Sequence, residues 1–280
     1  MDFALGLDGG GTGCRAVLTV RDGRVIGRGE GGPANINSDR EGALRSIMAA
    51  ADGALGGRTP AAVAAVLGLA GANISGARQW LAPMLPFGRS LVAHDAVTSV
   101  AGALGEADGI VAAIGTGSVF SRQRAGEVVS IGGWGPVLGD EGSGAWIGKR
   151  FLAHALRACD GLAPVSPLGE AVLARMGGPA GAVAFARTAT GADFAALVPE
   201  ILAGAGDPAA EAVLRPATEE VALAVNSLQR DPPLPVVFIG GLGPFYAERL
   251  AGRWPQREAL GTSLDGALRL AQRLASEVTA

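Results

Sequence analysis

Glycine clusters suited to phosphate recur three times along the chain, as Asp8-Gly9-Gly10-Gly11-Thr12, Gly115-Thr116-Gly117-Ser118 and Gly240-Gly241-Leu242-Gly243. Each follows an apolar, strand-like run. Glycine lets backbone N–H groups come close to phosphate oxygens, because no Cβ intervenes and positive φ costs little. Thr12 and Thr116 add hydroxyl donors beside the glycines. One such cluster is an ordinary tight turn. Three of them imply a site assembled from distant segments around a phosphorylated ligand. The third is the least specific, since Gly-Gly between a strand and a helix serves close packing equally well.

Asp95 follows an apolar strand-like run at the start of a helical one, where a carboxylate can act as a general base or cap the helix. His94 precedes it, and adjacent side chains are expected to point apart. Gly132-Gly133-Trp134-Gly135-Pro136-Val137-Leu138-Gly139-Asp140-Glu141-Gly142-Ser143-Gly144 combines glycines, an aromatic residue and paired acids, as a ligand-binding loop would. Asp140 or Ser143 can cap the helix that follows, and Glu141 is expected to complement its dipole from the first turn. Asn35 and Asn37 lie in a glycine-rich loop from which their amides can reach hydroxyl groups.

Two common nucleotide motifs are excluded by context. The Asp8 cluster leads into Cys14–Val20, which is β-like, whereas a dinucleotide fingerprint must open a helix. Lys149 is the only lysine, and Ser143-Gly144-Ala145-Trp146-Ile147-Gly148-Lys149-Arg150 lacks the leading Gly and closing Ser/Thr of a lysine-bearing phosphate loop. Phosphate charge must be met by backbone N–H groups, hydroxyls and a metal ion. The reading is a nucleotide-binding enzyme, specifically a kinase.

The elements that must position these residues form a repeating pattern. Phe3–Leu7, Cys14–Val20 and Arg24–Gly29 read as a strand meander with an Asp22-Gly23 hairpin turn. Ser38 is expected to cap a helix through Leu55, with Glu41 completing a capping box. Val63–Leu69 reads as a buried strand, Gly76–Leu85 as a helix, Ser90–Ala93 as a strand and Ala96–Leu104 as a helix. The meander then returns as Ile110–Ile114, Val119–Gln123 and Val128–Ile131. From Glu141 onward helices dominate, apart from a strand at Pro235–Ile239. The Gly105–Gly109 turn marks the division, giving domains of residues 1–106 and 107–280.

With 49% apolar and 18% charged residues among 280, the chain is expected to fold around a sizeable core. A net charge of −3 gives no footprint for nucleic acid or an anionic membrane. The longest apolar stretch, Ala61–Ala72, is shorter than a membrane helix needs. The start runs into a strand without a basic leader, and two isolated cysteines suit a reducing compartment, so the expectation is a cytoplasmic protein.

Together these residues resemble the actin–hexokinase superfamily of sugar kinases and chaperone ATPases. Within it the chain is similar to N-acetylglucosamine kinases and bacterial glucosamine kinases, with their BadF/BadG-type ATPase domain. Pro33-Ala34-Asn35, Asp95-Ala96, Gly115–Ser118, Gly132–Gly135 and Gly139–Ser143 carry the likeness. It implies an α/β fold of two actin-like (ribonuclease H-like) domains, with mixed five-stranded sheets flanked by helices and a cleft between them. It further implies ATP and Mg²⁺ as cofactors, with Asp8 holding the metal through water. Gly10, Gly11, Thr12, Gly115, Thr116 and Gly117 would hold the phosphates, and Gly240, Gly241 and Gly243 the adenosine. Asp95 would take the proton of a sugar 6-hydroxyl as it attacks the γ-phosphorus. Asn35 and Asp140 would bind ring hydroxyls, with Gly71, Trp134 and Gly135 near the amino or acetamido group. The family also implies a homodimer. Trp134 favours the acetylated sugar, and the loop after Asn35 the free amine. An alternative of another class is the activator ATPase of a radical dehydratase, which would need cysteines on an iron–sulfur cluster; a third is a nucleotide-binding regulator without catalysis.

Overall fold

Apolar runs broken by glycine and Asp-Gly turns build the first sheet, and a computed structural model describes residues 1–37, 39–72 and 76–277 of the chain. In chain order the strands and helices begin with β1 (Phe3–Gly9), β2 (Cys14–Val20), β3 (Val25–Gly31), α1 (Arg40–Leu55), β4 (Val63–Leu69), α2 (Ala77–Leu81), β5 (Arg89–His94) and α3 (Asp95–Leu104). They continue with β6 (Gly109–Ile114), β7 (Ser118–Arg124), β8 (Glu127–Gly132), α4 (Gly144–Cys159), α5 (Pro167–Arg175), α6 (Gly178–Ala186), α7 (Gly191–Ala195), α8 (Val198–Ala203) and α9 (Pro208–Leu228). The last are β9 (Val236–Ile239), α10 (Gly243–Arg249) and α11 (Ser263–Ser276).

Two compact units result: residues 1–108, 123–128 and 258 onward in the first, and 109–122 with 129–257 in the second. The first holds a five-stranded sheet in the order β3-β2-β1-β4-β5, antiparallel from β3 to β1 and parallel from β1 to β5. All seven residues of β4 are buried, as a central strand covered on both faces requires. Leu5, Leu7, Leu18, Ile47 and Leu67 pack one face with α1, while Ala4, Ala64, Val66 and Ala271 pack the other with α11. The second unit repeats the scheme as β8-β7-β6-β9, so the meander read twice in the sequence is the same sheet topology twice.

The structure departs from the sequence expectations at five places. The second sheet has four strands rather than five; the fifth position is reduced to one parallel bridge, Val236 to Gln256. Residues from 258 onward belong with the first unit rather than the second, because α11 docks by small-residue contacts. A Cβ on Gly6 would stand 2.3 Å from the Leu268 nitrogen, and one on Gly266 1.9 Å from the Thr98 oxygen. Ser38 lies outside the described residues, and α1 is capped by Asp39, which accepts from the Gly42 N–H at 2.9 Å. Glu41 thus completes no capping box. α4 starts only at Gly144, with Ser143 as its cap, so Glu141 precedes the helix and cannot act in its first turn. The stretch expected as one helix to Leu85 is α2 followed by a 3₁₀ turn over Ala82–Met84. Among the described residues, no helix is long and apolar enough to cross a membrane.

Candidate active site

Parallel pairing places the carboxyl ends of β1, β4 and β5 on one edge, with Gly9 beside Leu69 and Leu69 beside His94. Ligands of open α/β sheets bind beyond such ends. The loops leaving this edge are laced together: Ala34 N–H donates to the Gly10 carbonyl (2.8 Å), Ala70 N–H to Gly9 (2.9 Å) and Ile36 N–H to Ala70 (3.2 Å). Asn35 Oδ1 accepts from the Asn37 N–H at 3.0 Å. Gly71, at φ 81°, lets the chain pass, since a Cβ there would stand 2.7 Å from Asn35 Oδ1. Asp8, Gly10, Gly11, Thr12, Asn35, Gly71 and Asp95 are therefore gathered on one edge of the first unit.

Asp8 faces Arg15 across the β1–β2 hairpin, with Arg15 Nη2 at 3.3 Å from Asp8 Oδ2. Arg15 was not singled out from the sequence, although counting back across a Gly10–Gly13 turn pairs it with Asp8. Asp95 is the first residue of α3, and its side chain is 38% exposed, so a ligand can reach it. It does not cap the helix; His94 does, through Nδ1, which accepts from the Ala96 N–H at 3.3 Å. The expectation that the two side chains point apart also fails, for His94 Nε2 lies 3.1 Å from Asp95 Oδ1.

In the second unit β6 and β9 are parallel neighbours, so Gly115–Gly117 and Gly240–Gly243 leave one edge. Leu242 N–H donates to the Ile114 carbonyl at 3.0 Å, and the α4 N-terminus holds the first loop by Gly144 and Ala145 N–H bonds to the Gly115 and Thr116 carbonyls. Asp140 is only 6% exposed and sits at φ 58°, a conformation few L-residues adopt. Its Oδ1 accepts from the Gly135 N–H at 3.0 Å, and its Oδ2 lies 2.8 Å from where a Gly117 Cβ would stand. The carboxylate thus braces the Gly115–Gly117 loop against the Trp134-Gly135 loop. Trp134 itself is 75% exposed. Tyr246 of α10, fully buried, donates its hydroxyl to the Gly142 carbonyl and ties the same loop to the Gly240–Gly243 turn.

Burial pushes the Asp140 carboxyl above its ordinary range, opposed by the Gly135 N–H and reinforced by Glu141. A carboxyl raised on folding favours the folded state below its unfolded value and loses that contribution as pH rises through the folded one. Asp140→Asn, which keeps an oxygen for Gly135, is therefore expected to gain stability relative to the native protein at neutral pH. That gap narrows towards about pH 4, where carboxyls protonate. Denaturant midpoints at the two pH values check this, and a gap that widens on acidification contradicts it.

The glycines of the three loops divide by cause. Gly240 has φ 86° and a Cβ there would stand 2.3 Å from the Ile114 oxygen; Gly243 and Gly117 are similarly crowded by Phe238 and Asp140. Gly10, Gly11, Gly115 and Gly241 show neither a positive φ nor any atom within 4 Å of an added Cβ. Folding does not demand glycine at those four positions. Thr12 and Thr116 are exposed, and neither hydroxyl has a hydrogen-bond partner among the described residues. Open amides and free hydroxyls are the groups that receive phosphate oxygens.

Asp8 offers one carboxylate beside such a loop. That suits Mg²⁺, which binds through one or two carboxylates plus substrate phosphates while keeping several waters. Cys14 is buried in β2, and burial, with Asp8 nearby, pushes its thiol up to about 12.

The sequence profile of the BadF/BadG/BcrA/BcrD ATPase family matches residues 5–245. Glucosamine kinase GspK of Vibrio cholerae is 33% identical over 238 residues, 81% of each chain. An N-acetylmuramic acid/N-acetylglucosamine kinase of Clostridium acetobutylicum is 31% identical over 169 residues, 57% of this chain and 55% of that one. In three dimensions a Chromobacterium violaceum protein, named as a candidate N-acetylglucosamine kinase, superposes with TM-score 0.88 at 33% identity, covering 97% of this chain and 99% of its own. The two mixed sheets flanked by helices are the actin-like ATPase arrangement.

Proposed function

We propose that this chain, which belongs to the BadF/BadG/BcrA/BcrD ATPase family, is an ATP-dependent kinase acting on the 6-hydroxyl of glucosamine or N-acetylglucosamine. The observation that carries the reading is the reachable Asp95 carboxylate on the same strand edge as Gly10, Gly11 and Thr12, whose open backbone folding does not require. Asp95 takes the hydroxyl proton as that oxygen bonds to the γ-phosphorus; the bond from that phosphorus to the bridging oxygen breaks, and ADP leaves. Gly10, Gly11 and Thr12, with Gly115, Thr116 and Gly117, hold phosphate oxygens through N–H and hydroxyl groups. Gly240, Gly241 and Gly243 adjoin the adenosine. Asp8 would hold Mg²⁺, which when bound neutralises charge on the phosphates. Asn35 and Asp140 orient ring hydroxyls, with Gly71, Trp134 and Gly135 beside the nitrogen substituent. A cytoplasmic setting, expected from the two isolated cysteines, is compatible with this reading.

ADP release measured with glucosamine, N-acetylglucosamine and glucose tests the reading. An amino sugar should support turnover with kcat/KM at least about tenfold above glucose, the discrimination one polar contact supplies. Release no faster with any sugar than with water would overturn it. The dehydratase-activator alternative is opposed by cysteine placement, since Cys14 is buried within β2 and Cys159 lies at the end of α4, away from the glycine loops in sequence.

A further inference from the structure

We propose that Ser118 and Tyr246 are positioning residues: they fasten the turn of residues 140–144 to both nucleotide loops of the second unit, so that bound nucleotide sets the turn and, through Asp140, the affinity for the sugar. The inference rests on the proposed function for what the loops and Asp140 hold; the fastening itself is geometric. Ser118 opens β7 directly behind Gly115–Gly117 and is 4% exposed. It grips the run of residues 132–144 at two points. Its carbonyl accepts the Gly133 N–H at 2.9 Å, and its hydroxyl donates to the Glu141 carbonyl at 2.9 Å. Tyr246 lies in the first turn of α10, behind Gly240–Gly243, and donates its hydroxyl to the Gly142 carbonyl. Burial pushes its phenol above the ordinary range, so the proton stays on oxygen and the hydroxyl remains a donor.

Successive carbonyls of one turn thus accept from hydroxyls rooted behind two different glycine loops, all within the second unit. The turn has little room to give way. Gly142, at φ 75°, would place a Cβ 2.6 Å from Val221 Cγ2 of α9, and the Gly144 N–H is bonded to the Gly115 carbonyl at 2.8 Å. Asp140 starts the turn: its carbonyl accepts the Ser143 N–H at 3.0 Å, and its carboxylate holds the Gly135 N–H. A ligand that orders Gly115–Gly117 or Gly240–Gly243 therefore also orders Asp140. The converse follows, since coupling between two ligands is reciprocal. Satisfying the two carbonyls needs only some donor. Here both donors come from the elements behind the nucleotide loops, and that choice links the sites.

Dissociation constants for glucosamine and N-acetylglucosamine, taken with and without a non-hydrolysable ATP analogue and Mg²⁺, test the link. In the native protein the analogue is expected to tighten binding of the preferred sugar about tenfold, within the usual range of coupling between sites. In the double variant Ser118→Ala with Tyr246→Phe that gain should fall to about twofold, while each ligand alone binds within about threefold of native. Thr218→Ala is the control. It removes another hydroxyl-to-carbonyl bond of the same unit, to Leu214 within α9, and should keep the native gain. The proposal is overturned by a native gain below about twofold, or by a gain in the double variant within about twofold of native. An equal loss in Thr218→Ala, or single-ligand affinities that fall as far as the gain does, overturns it too. Hydrogen exchange of residues 134–144 reads the same link without sugar: the analogue should slow it in the native protein and not in the double variant. Exchange slowed equally in both, or in neither, contradicts the fastening. If neither sugar binds but exchange behaves as expected, the kinase reading falls and the coupling of the turn to nucleotide stands.

Discussion

Replacing Asp95 by Asn lowers kcat for phosphoryl transfer by about 10²–10⁴-fold, the range over which a positioned base contributes. ATP-analogue affinity stays within about threefold, because Asp95 lies on the β5–α3 junction rather than in a glycine loop. The fold is expected to survive, since Asn is nearly isosteric with Asp and the side chain is 38% exposed. Stopped-assay turnover and analogue titration on the same preparation measure both quantities. Turnover within tenfold of native would remove Asp95 as the base. Loss of nucleotide binding along with turnover would place it in a different role.

The second large effect contrasts two glycines of matching sequence context. A Cβ at Gly10 has no atom within 4 Å and no positive φ to strain, so Gly10→Val is expected to match native stability within about 0.5 kcal/mol. The added side chain would nonetheless hold a phosphate oxygen away from the loop amides. Losing one or two charge-assisted hydrogen bonds weakens Mg-ATP binding about 100-fold or more. Gly240→Ala should do the reverse in kind: its Cβ would meet the Ile114 carbonyl at 2.3 Å, on a backbone at φ 86°. Overpacking and strain there cost about 2–4 kcal/mol of stability. Thermal melts and nucleotide titrations on the pair distinguish ligand-facing glycines from packing ones. Native-like ATP binding by Gly10→Val would show that the first loop holds no phosphate.

Local chemistry explains which parts of this structure could be read in advance. β1 to β4 and β6 to β8 follow from apolar runs punctuated by Asp22-Gly23 and the glycine clusters, all signals within a few residues of the feature they specify. The repeated sheet order follows once the meander is seen twice. What was not legible depends on distant partners. The docking of α11 on β1 needs Gly6 to meet Leu268, more than 250 positions away, and nothing in either segment names the other. The three glycine clusters look alike as text. Only in space does Gly117 meet Asp140 and Gly240 meet Ile114, while Gly10, Gly11, Gly115 and Gly241 stay open. The convergence of His94 and Asp95 was missed for another reason. Neighbouring side chains diverge within one element, but these two straddle a strand–helix junction. Asp140, read from the sequence as a sugar ligand, also braces two loops through Gly135 and Gly117, a second role that its spacing in a glycine-rich run does not reveal.

The site of phosphorylation decides the central claim most directly. A ³¹P–¹H correlation spectrum of the product formed from ATP and glucosamine, or N-acetylglucosamine, should show phosphorus coupled to both C6 protons of the sugar. Coupling to the anomeric proton, or inorganic phosphate as the only product, would contradict the account.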